Sequence, residues 1–274
     1  MTAALPVLKA GQVLAPGYEV LDHLARGQAL DVYDVWSDER DCHCVAKTPR
    51  PDRLTDVAVR RRLLREGRIL LDLAHPNIVR AYELVRGASP ALVLETLTGG
   101  SVHDALSTAS RRPALGAVVQ LGIHLCSALH YLHGRELLHG DLKPANVMMD
   151  RGFAKVIDLS LVCRPGKAVR GRGTRGYMAP EQARGGHVSA ATDVWGVGAT
   201  LYAATVGRKP FGPGPDAGAY AQLERRADRV EAHRRLPRTH APLGELIAAC
   251  LEPEPRARPA LGEVTDRLDE LLED

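Results

Sequence analysis

The first third of the chain alternates short apolar stretches with polar or glycine-containing turns. This pattern is typical of β-strands, which we expect at residues 18–24, 31–36, 42–47, 78–85 and 91–94. Residues 56–74 differ, because their apolar positions recur at helical spacing and the opposite face is rich in arginine. This helix is expected to end before His75 and Pro76, since a proline disfavours the helical conformation of the residue before it.

The pattern changes near residues 96–100, after which long helical periodicities dominate. We therefore expect a lead-in at residues 1–17, a β-rich N-terminal lobe at residues 18–97 and a helical C-terminal lobe at residues 98–274. The longest apolar region, residues 115–132, repeats leucine at helical spacing and is interrupted by polar side chains. It is expected to form a buried helix, and no membrane span is predicted.

Composition narrows the class of protein. The 274 residues include 36 Lys and Arg against 33 Asp and Glu, for a net charge of +3, and 45% of them are hydrophobic. These values favour a folded soluble protein over a disordered chain, and no nucleic-acid partner is expected. The five cysteines lack the spacing of a disulfide framework or a zinc site, and no secretory leader is visible. We therefore expect reduced thiols and a cytoplasmic location.

The stretch at residues 139–149 carries the clearest chemistry. Asp141, Lys143 and Asn146 lie just before an apolar run, and Asp158 follows a second apolar pair. Asp141 can accept the proton of an attacking hydroxyl, and Lys143 can neutralise charge on a transferring phosphoryl group. Asn146 and Asp158 offer the hard oxygen ligands that suit Mg²⁺. A polar surface loop is the alternative, but the combination with apolar strands on both sides favours phosphoryl transfer.

These residues resemble the catalytic loop and metal-binding aspartate of protein kinases, specifically the bacterial eukaryotic-like serine/threonine kinases. The resemblance covers about residues 18–272. It implies an α+β, two-lobed protein-kinase-like fold, with a small antiparallel β-rich N-lobe containing one helix and a larger, mainly α-helical C-lobe. It also implies ATP, Mg²⁺ (or Mn²⁺) and a protein Ser or Thr hydroxyl as acceptor. Thr174, together with Lys143, indicates the Ser/Thr branch, and Thr174 is expected to order the catalytic loop.

The resemblance also assigns the nucleotide-binding residues. Lys47 would hold the α- and β-phosphates, with Glu66 on the following helix as its ion-pair partner. The backbone groups of Glu95 and Leu97 would bond adenine. The remaining residues expected around the nucleotide are Leu24, Gly27, Val32, Val45 and Met148, although the apolar ones could equally be core residues. In the C-lobe, Arg258 is expected to pair with Glu181.

The sequence departs from the family pattern at the glycine-rich loop. The three glycines expected there fall on Ala25, Gly27 and Leu30, so only Gly27 remains. This restricts the positive-φ conformations that let a backbone approach phosphates closely. A second departure is Ser160, which stands two residues after Asp158 where the family most often has glycine, and we expect Asp158 to stay inward as a result.

The activation segment lacks the features of a phosphorylation switch. Gly140 stands where many regulated kinases carry a phosphate-binding arginine before the catalytic aspartate. Between Asp158 and Glu181 the only Ser or Thr residues are Ser160 and Thr174, both at structural positions. We therefore expect activity that is independent of activation-loop phosphorylation.

The same segment is strongly basic, with five cations against two carboxylates from residue 158 to residue 181. The cations are Arg164, Lys167, Arg170, Arg172 and Arg175. They either form a solvated loop or recruit an acidic protein substrate through their local field.

Three functions compete. An active Ser/Thr protein kinase is favoured because every principal catalytic position is filled. A pseudokinase or scaffold with weakened ATP binding is supported by the degraded glycine-rich loop. A small-molecule phosphotransferase is less favoured, because such enzymes lack the Thr174 and Glu181 motifs that this chain has. The sequence leaves open the substrate, the activating signal, the oligomeric state and whether the chain is part of a longer protein.

Overall fold

The computed structural model describes residues 6–108, 112–212, 220–228, 230 and 240–273. The chain divides into two compact units, Met1–Thr98 and Gly99–Asp274. The first unit is a β-sheet with one α-helix, and the second is mainly helical. We describe each unit in turn.

The first unit contains a six-stranded antiparallel sheet in the order β1-β2-β3-β4-β6-β5. Its strands are β1 (Val13–Ala15), β2 (Tyr18–Arg26), β3 (Leu30–Ser37), β4 (Cys42–Pro49), β5 (Ala81–Val85) and β6 (Ala91–Glu95). The strand pattern of the sequence located five of them, but β5 begins three residues later than expected. The sequence did not predict β1, which lies within the segment expected to be a lead-in and pairs with β2.

The alternation of buried and partly exposed residues along β3 and β4 sets the two faces of the sheet. Tyr33, Val35, Cys44 and Ala46 are fully enclosed on one face, and partly buried residues before β1, including Leu8, pack against them. The backbone N–H of Leu8 donates to the Tyr33 hydroxyl at 3.1 Å. This face forms the hydrophobic core, so the side chains of the neighbouring positions on β3 and β4 lie on the opposite face.

Helix α1 (Val57–Leu71) of this unit is capped by Asp56, whose carboxylate accepts hydrogen bonds from the backbone of Ala58 and Val59 at 2.9 and 3.2 Å. Side-chain caps of this kind satisfy amides that have no partner within the helix. Helix α1 ends three residues before the predicted limit of residue 74. The turn that follows leads into Pro76, which cannot continue a helix.

The second unit contains six α-helices in the described residues: α2 (Val102–Thr108), α3 (Leu115–His133), α4 (Pro180–Arg184), α5 (Ala190–Val206), α6 (Ala241–Cys250) and α7 (Leu261–Glu273). Two short antiparallel pairs join them, β7 (Val147–Asp150) with β8 (Phe153–Val156) and β9 (Gly166–Lys167) with β10 (His187–Val188). The predicted catalytic and metal-binding residues flank the first pair. The second pair includes Lys167 of residues 158–181, which we call the basic segment.

Helix α3 is long and apolar enough to cross a bilayer, and it is the only such helix within the described ranges. Its mean hydropathy over the most apolar window is 1.4, and half of that window is buried. Leu125, Leu129 and Leu132 are enclosed where α3 packs against α5 and α7. This packing agrees with the buried helix that the leucine spacing predicted.

Candidate active site

In the first unit, Lys47 and Glu66 form a close ion pair. The Lys47 side chain lies on β4, and its Nζ is 3.0 Å from Oε1 of Glu66 on α1. The Glu66 side chain is only 1% exposed and that of Lys47 13%. A carboxylate this deeply buried requires a charged partner. The pair therefore fixes the lysine ammonium at a defined point on the sheet.

The apolar residues assigned to the nucleotide lie beside this lysine. Val45 is two residues before Lys47 on β4, and Val32 on β3 is the direct cross-strand partner of Lys47. Both valines are partly exposed, whereas the residue that follows each of them on its strand is enclosed. Leu24 is 52% exposed at an irregularity in the pairing of β2 with β3. An apolar surface next to a fixed ammonium suits a ligand with one apolar end and one anionic end.

The expected adenine-binding segment follows β6. Glu95 is the last residue of that strand, and its carboxylate accepts a hydrogen bond from the Arg80 backbone at 2.9 Å. Leu97 lies two residues further, in a stretch without regular secondary structure, and is partly buried. Strand pairing therefore ends at the position where backbone groups would have to be available for a ligand.

In the second unit, three of the predicted catalytic side chains meet. Lys143 Nζ is 2.8 Å from Asp141 Oδ2 and 2.5 Å from Thr174 Oγ1, and the Thr174 hydroxyl lies 3.1 Å from the same Asp141 oxygen. Thr174 is 33 residues from Asp141 along the chain. Among the described residues, no hydrogen bond reaches Asp141 Oδ1. Asp141 is therefore held through one oxygen while the other can accept a proton.

The two expected metal ligands flank the β7–β8 hairpin in the chain: Asn146 comes directly before β7, and Asp158 comes just after β8. The Asn146 side-chain amide donates to the Asp141 backbone carbonyl at 2.9 Å, and its backbone carbonyl accepts from Ile157, the residue before Asp158. Asp158 uses Oδ1 to accept from the Ser160 backbone at 2.8 Å. Asn146 offers a side-chain amide oxygen and Asp158 a carboxylate. This hard oxygen donor set fits Mg²⁺. Met148, on β7, is partly exposed.

Asp193 anchors the loop that carries Asp141. This carboxylate, 1% exposed at the start of α5, accepts from the backbone of His139 and of Gly140 and lies near His133 Nε2, each at 2.9 Å. The imidazole of His139 is enclosed, and its Nδ1 accepts from the Asp141 backbone at 3.1 Å. Burial lowers the pKa of His139, which keeps the ring neutral and its Nδ1 free to accept.

Gly140 has a structural reason to be glycine. Its φ is +74°, in the left-handed region, and an added Cβ would lie 3.4 Å from the Leu161 carbonyl oxygen. The Gln182 side chain donates to the Gly140 carbonyl at 2.7 Å and to that of Arg172 at 3.2 Å. The basic segment is thus tied to both the catalytic loop and α4.

The predicted pair between Glu181 and Arg258 is confirmed. Two parallel bonds of 2.8 and 2.9 Å join the guanidinium to the carboxylate. The side chains are 8% exposed for Glu181 and 0% for Arg258, and the guanidinium lies 5.0 Å from the centre of the Trp195 ring. This pair links the end of the activation segment to the turn before α7.

Comparison with known proteins identifies the family. Residues 18–268 match the protein kinase domain family, which accounts for more than nine tenths of the chain. The chain belongs to the protein kinase family. The kinase domain of PknI from Mycobacterium tuberculosis has the same fold, with a TM-score of 0.76 and 22% identity, over 97% of this chain and 100% of that domain. The α+β protein-kinase fold predicted from the sequence is therefore confirmed.

Two bacterial relatives that this kinase domain is similar to are named serine/threonine-protein kinases. PkaA from Streptomyces coelicolor is 34% identical over 228 residues, and PknB from Mycobacterium leprae is 30% identical over 261 residues. These matches cover 78% and 89% of this chain but only 40% and 41% of the relatives. The resemblance to bacterial serine/threonine kinases is confirmed, and the chain spans about two fifths of the length of these relatives.

Sequence reasoning missed several residues that shape the site of this kinase domain. Asp193 and Gln182 are the two clearest cases. Both act by hydrogen bonding to backbone groups more than 40 residues away. A motif shows that such a residue is present, whereas its partner is known only once the chain has folded.

Proposed function

We propose that this chain is an ATP-dependent serine/threonine protein kinase that transfers the γ-phosphoryl group of ATP to Ser or Thr hydroxyls of proteins. The observation that carries this proposal is the cluster of Asp141, Lys143 and Thr174 in the second unit. The Lys47–Glu66 pair in the first unit supports a role in holding ATP phosphates.

Asp141 acts as the proton acceptor. Its Oδ2 is occupied by Lys143 and Thr174, so Oδ1 receives the proton of the acceptor hydroxyl as that oxygen attacks phosphorus. Lys143 stabilises charge that develops on the transferring group. Holding both side chains in place before the substrate arrives lowers the reorganisation needed in the transition state.

Asn146 and Asp158 would hold Mg²⁺, with Mn²⁺ as the alternative. When bound, the metal supplies positive charge that neutralises the phosphate oxygens. The contribution of the chain is to place the two ligands next to the base: the Asn146 amide bonds the Asp141 backbone, and the Ser160 backbone orients the Asp158 carboxylate.

We further propose that activity does not depend on phosphorylation of the activation segment. The Thr174 hydroxyl is already bonded to Lys143 and Asp141, and Gly140, at φ +74°, stands where a receptor arginine would be. Mass mapping of active protein should find no activating phosphate at residues 161–175. Stoichiometric phosphate there, with activity lost on its removal, would contradict this proposal.

The basic segment supports a preference for acidic protein substrates. Lys167, Arg170 and Arg172 form no ion pair with other described residues, and Arg164 is 75% exposed beside Glu136. Peptide arrays should favour Asp and Glu near the acceptor, and equal use of neutral peptides would remove this preference. The free cysteines of the chain support a cytoplasmic location for the kinase domain.

The decisive experiment is transfer of labelled phosphate from ATP with Mg²⁺ to acidic and basic generic proteins. Replacing Asp141 with asparagine should lower the rate about 10²- to 10⁴-fold, the range for loss of a positioned base. Arg256→Met, on an exposed turn, is the matched control and should leave the rate unchanged. Undiminished transfer by Asp141→Asn would refute the mechanism. Nucleotide binding without transfer by the native chain would favour a scaffold.

A further inference from the structure

The turn between β2 and β3, residues 27–29, is where the family resemblance expects a glycine-rich loop over the ATP phosphates. In this chain the turn has only one glycine, which raised doubt about ATP binding. The structure instead shows several side-chain bonds around the turn. They come from three residues, none of which is a glycine position of the motif: Arg26, Asp31 and Arg50.

Arg26 and Asp31 close the base of the turn. They are direct cross-strand partners on β2 and β3, and two parallel bonds of 2.8 Å join the guanidinium to the carboxylate. Asp31 is completely buried, and His23 Nε2 is 3.3 Å from its Oδ1. Burial alone would raise the pKa of Asp31, but hydrogen bonds from Arg26 and His23 and their charges bring it below its usual value. Asp31 is therefore ionised and firmly held.

Arg50, just after β4, bonds the turn from the other side. Its backbone N–H donates to the Ala29 carbonyl at 3.0 Å, and its Nη1 reaches the carbonyls of Gly27 and Gln28 at 3.3 Å each. Asp52 accepts two further bonds from the same guanidinium, at 2.9 and 3.1 Å, and fixes its orientation. All three carbonyls of the turn thus have a partner in one residue.

The backbone of the turn is ordinary as a result. None of the described residues from 24 to 31 has a positive φ, and the Gly27 N–H donates to the Leu30 carbonyl at 2.8 Å. A side chain at Gly27 would be tightly placed, because an added Cβ would lie 3.2 Å from that carbonyl oxygen. This agrees with the expectation that the loss of two glycines restricts positive-φ conformations in the loop. The turn is held by side chains and does not depend on glycine flexibility.

We propose that Arg26, Asp31 and Arg50, the loop clamp, are positioning residues that hold the nucleotide loop in its binding conformation before ATP arrives. This inference rests on the proposed kinase function. A glycine-rich loop loses conformational freedom when it closes on phosphates, and each ordered residue costs free energy. The clamp orders the loop when the protein folds, so this free energy is not lost again when ATP binds. It thereby compensates for the two missing glycines, and the kinase domain binds ATP through a preformed loop.

Arg50 gives the sharper test, because replacing the buried Asp31 endangers the fold. Arg50→Met removes both side-chain bonds to the turn, and Arg50→Lys can restore one. Arg53→Met is the matched control, since Arg53 is a neighbouring arginine whose side chain is 49% exposed and whose closest carboxylates lie 3.7 and 3.8 Å away. Amide hydrogen exchange at residues 24–31, the dissociation constant for a non-hydrolysable ATP analogue, and separate kcat and KM values are measured for each protein.

The proposal predicts faster amide exchange in the turn of Arg50→Met and about 10-fold weaker nucleotide binding, the size expected when a bond to a charged group is lost from the bound loop. KM for ATP should rise in parallel, whereas kcat at saturating ATP should be unchanged. Arg50→Lys should be intermediate, and Arg53→Met should match the native chain.

Two results overturn the clamp while leaving the kinase function intact. One is that Arg50→Met binds the ATP analogue as tightly as the native chain does, or more tightly. The other is that amide exchange in the turn of Arg50→Met becomes faster while its KM for ATP does not change. Failure of the native chain to bind any nucleotide would instead overturn the proposed function, and the role of this loop with it.

Discussion

Replacing Arg258 with methionine should strongly destabilise the second unit. The substitution keeps the length of the aliphatic side chain but leaves the Glu181 carboxylate, 8% exposed, without its two bonds of 2.8 and 2.9 Å. It also removes donors from the backbone carbonyls of Ala191 and Glu252, both at 2.8 Å. Removing one partner of a buried ion pair costs about 3–5 kcal/mol. Each kcal/mol shifts the melting temperature by about 2–4 °C in a domain of this size, so a fall of roughly 6–20 °C is expected.

Thermal unfolding followed by circular dichroism measures this loss. Arg208→Met is the matched control, because the Arg208 pair with Asp228 at 3.4 Å has side chains that are 61% and 54% exposed. An exposed pair of this kind contributes at most about 1 kcal/mol. The double variant Glu181→Gln with Arg258→Met should recover part of the loss, since an amide is less costly to bury than an unpaired carboxylate. A melting temperature of Arg258→Met equal to that of Arg208→Met would refute this reasoning.

Two other sites give separate predictions. Thr174→Val should lower kcat about 10- to 100-fold, because the bonds to Lys143 and Asp141 are lost. Thr174→Ser keeps the hydroxyl and should keep most of kcat. Equal rates for both variants in the phosphate-transfer assay would contradict the role of the hydroxyl. Burial lowers the pKa of His139, so the unfolded chain binds more protons than the folded chain at this site. The free energy of unfolding should therefore be constant above about pH 6.5 and fall as the pH drops below it, by at most about 1.4 kcal/mol per pH unit. His139→Asn, which keeps an acceptor for the Asp141 backbone, should flatten this slope in urea titrations; identical slopes would remove His139 as the source.

The sequence was most informative where a function is carried by adjacent residues. Asp141, Lys143 and Asn146 lie within six positions, and together with Asp158 and the apolar strands on both sides they indicated phosphoryl transfer. The pattern of strands with one helix, followed by helices, predicted two lobes, and the family resemblance implied the kinase fold and placed Lys47 and Glu66. Local patterns of this kind survive because the chemistry requires particular residue types close together in the chain.

The first strand shows where pattern reasoning failed. β1 has only three residues, too few to display alternation, and it is a strand because its partner β2 is beside it. The end of α1 was misplaced for a related reason, since periodicity continues into a turn that the chain uses to approach Pro76. Pairing and turn geometry depend on tertiary contacts that a single stretch of sequence does not contain.

The degraded nucleotide loop shows a different limit. The absence of two glycines is visible in the sequence and suggested a weakened site. Its compensation is invisible there, because Arg26, Asp31 and Arg50 are ordinary charged residues in a chain rich in arginine. Only the pairing of β2 with β3, and the return of the chain after β4, brings the three together around the turn. A lost motif residue therefore does not by itself indicate lost function.

The two aspartates that shape the catalytic loop show how environment assigns roles to identical side chains. Asp193 is 1% exposed, and both of its oxygens accept hydrogen bonds, from His139, Gly140 and His133. Asp141 is held through a single oxygen. A carboxylate with fixed donors on both oxygens is suited to hold a loop, whereas one held through a single oxygen has its other oxygen open to a substrate hydroxyl. In the proposed mechanism, the buried aspartate therefore positions the loop and the partly exposed one accepts the proton.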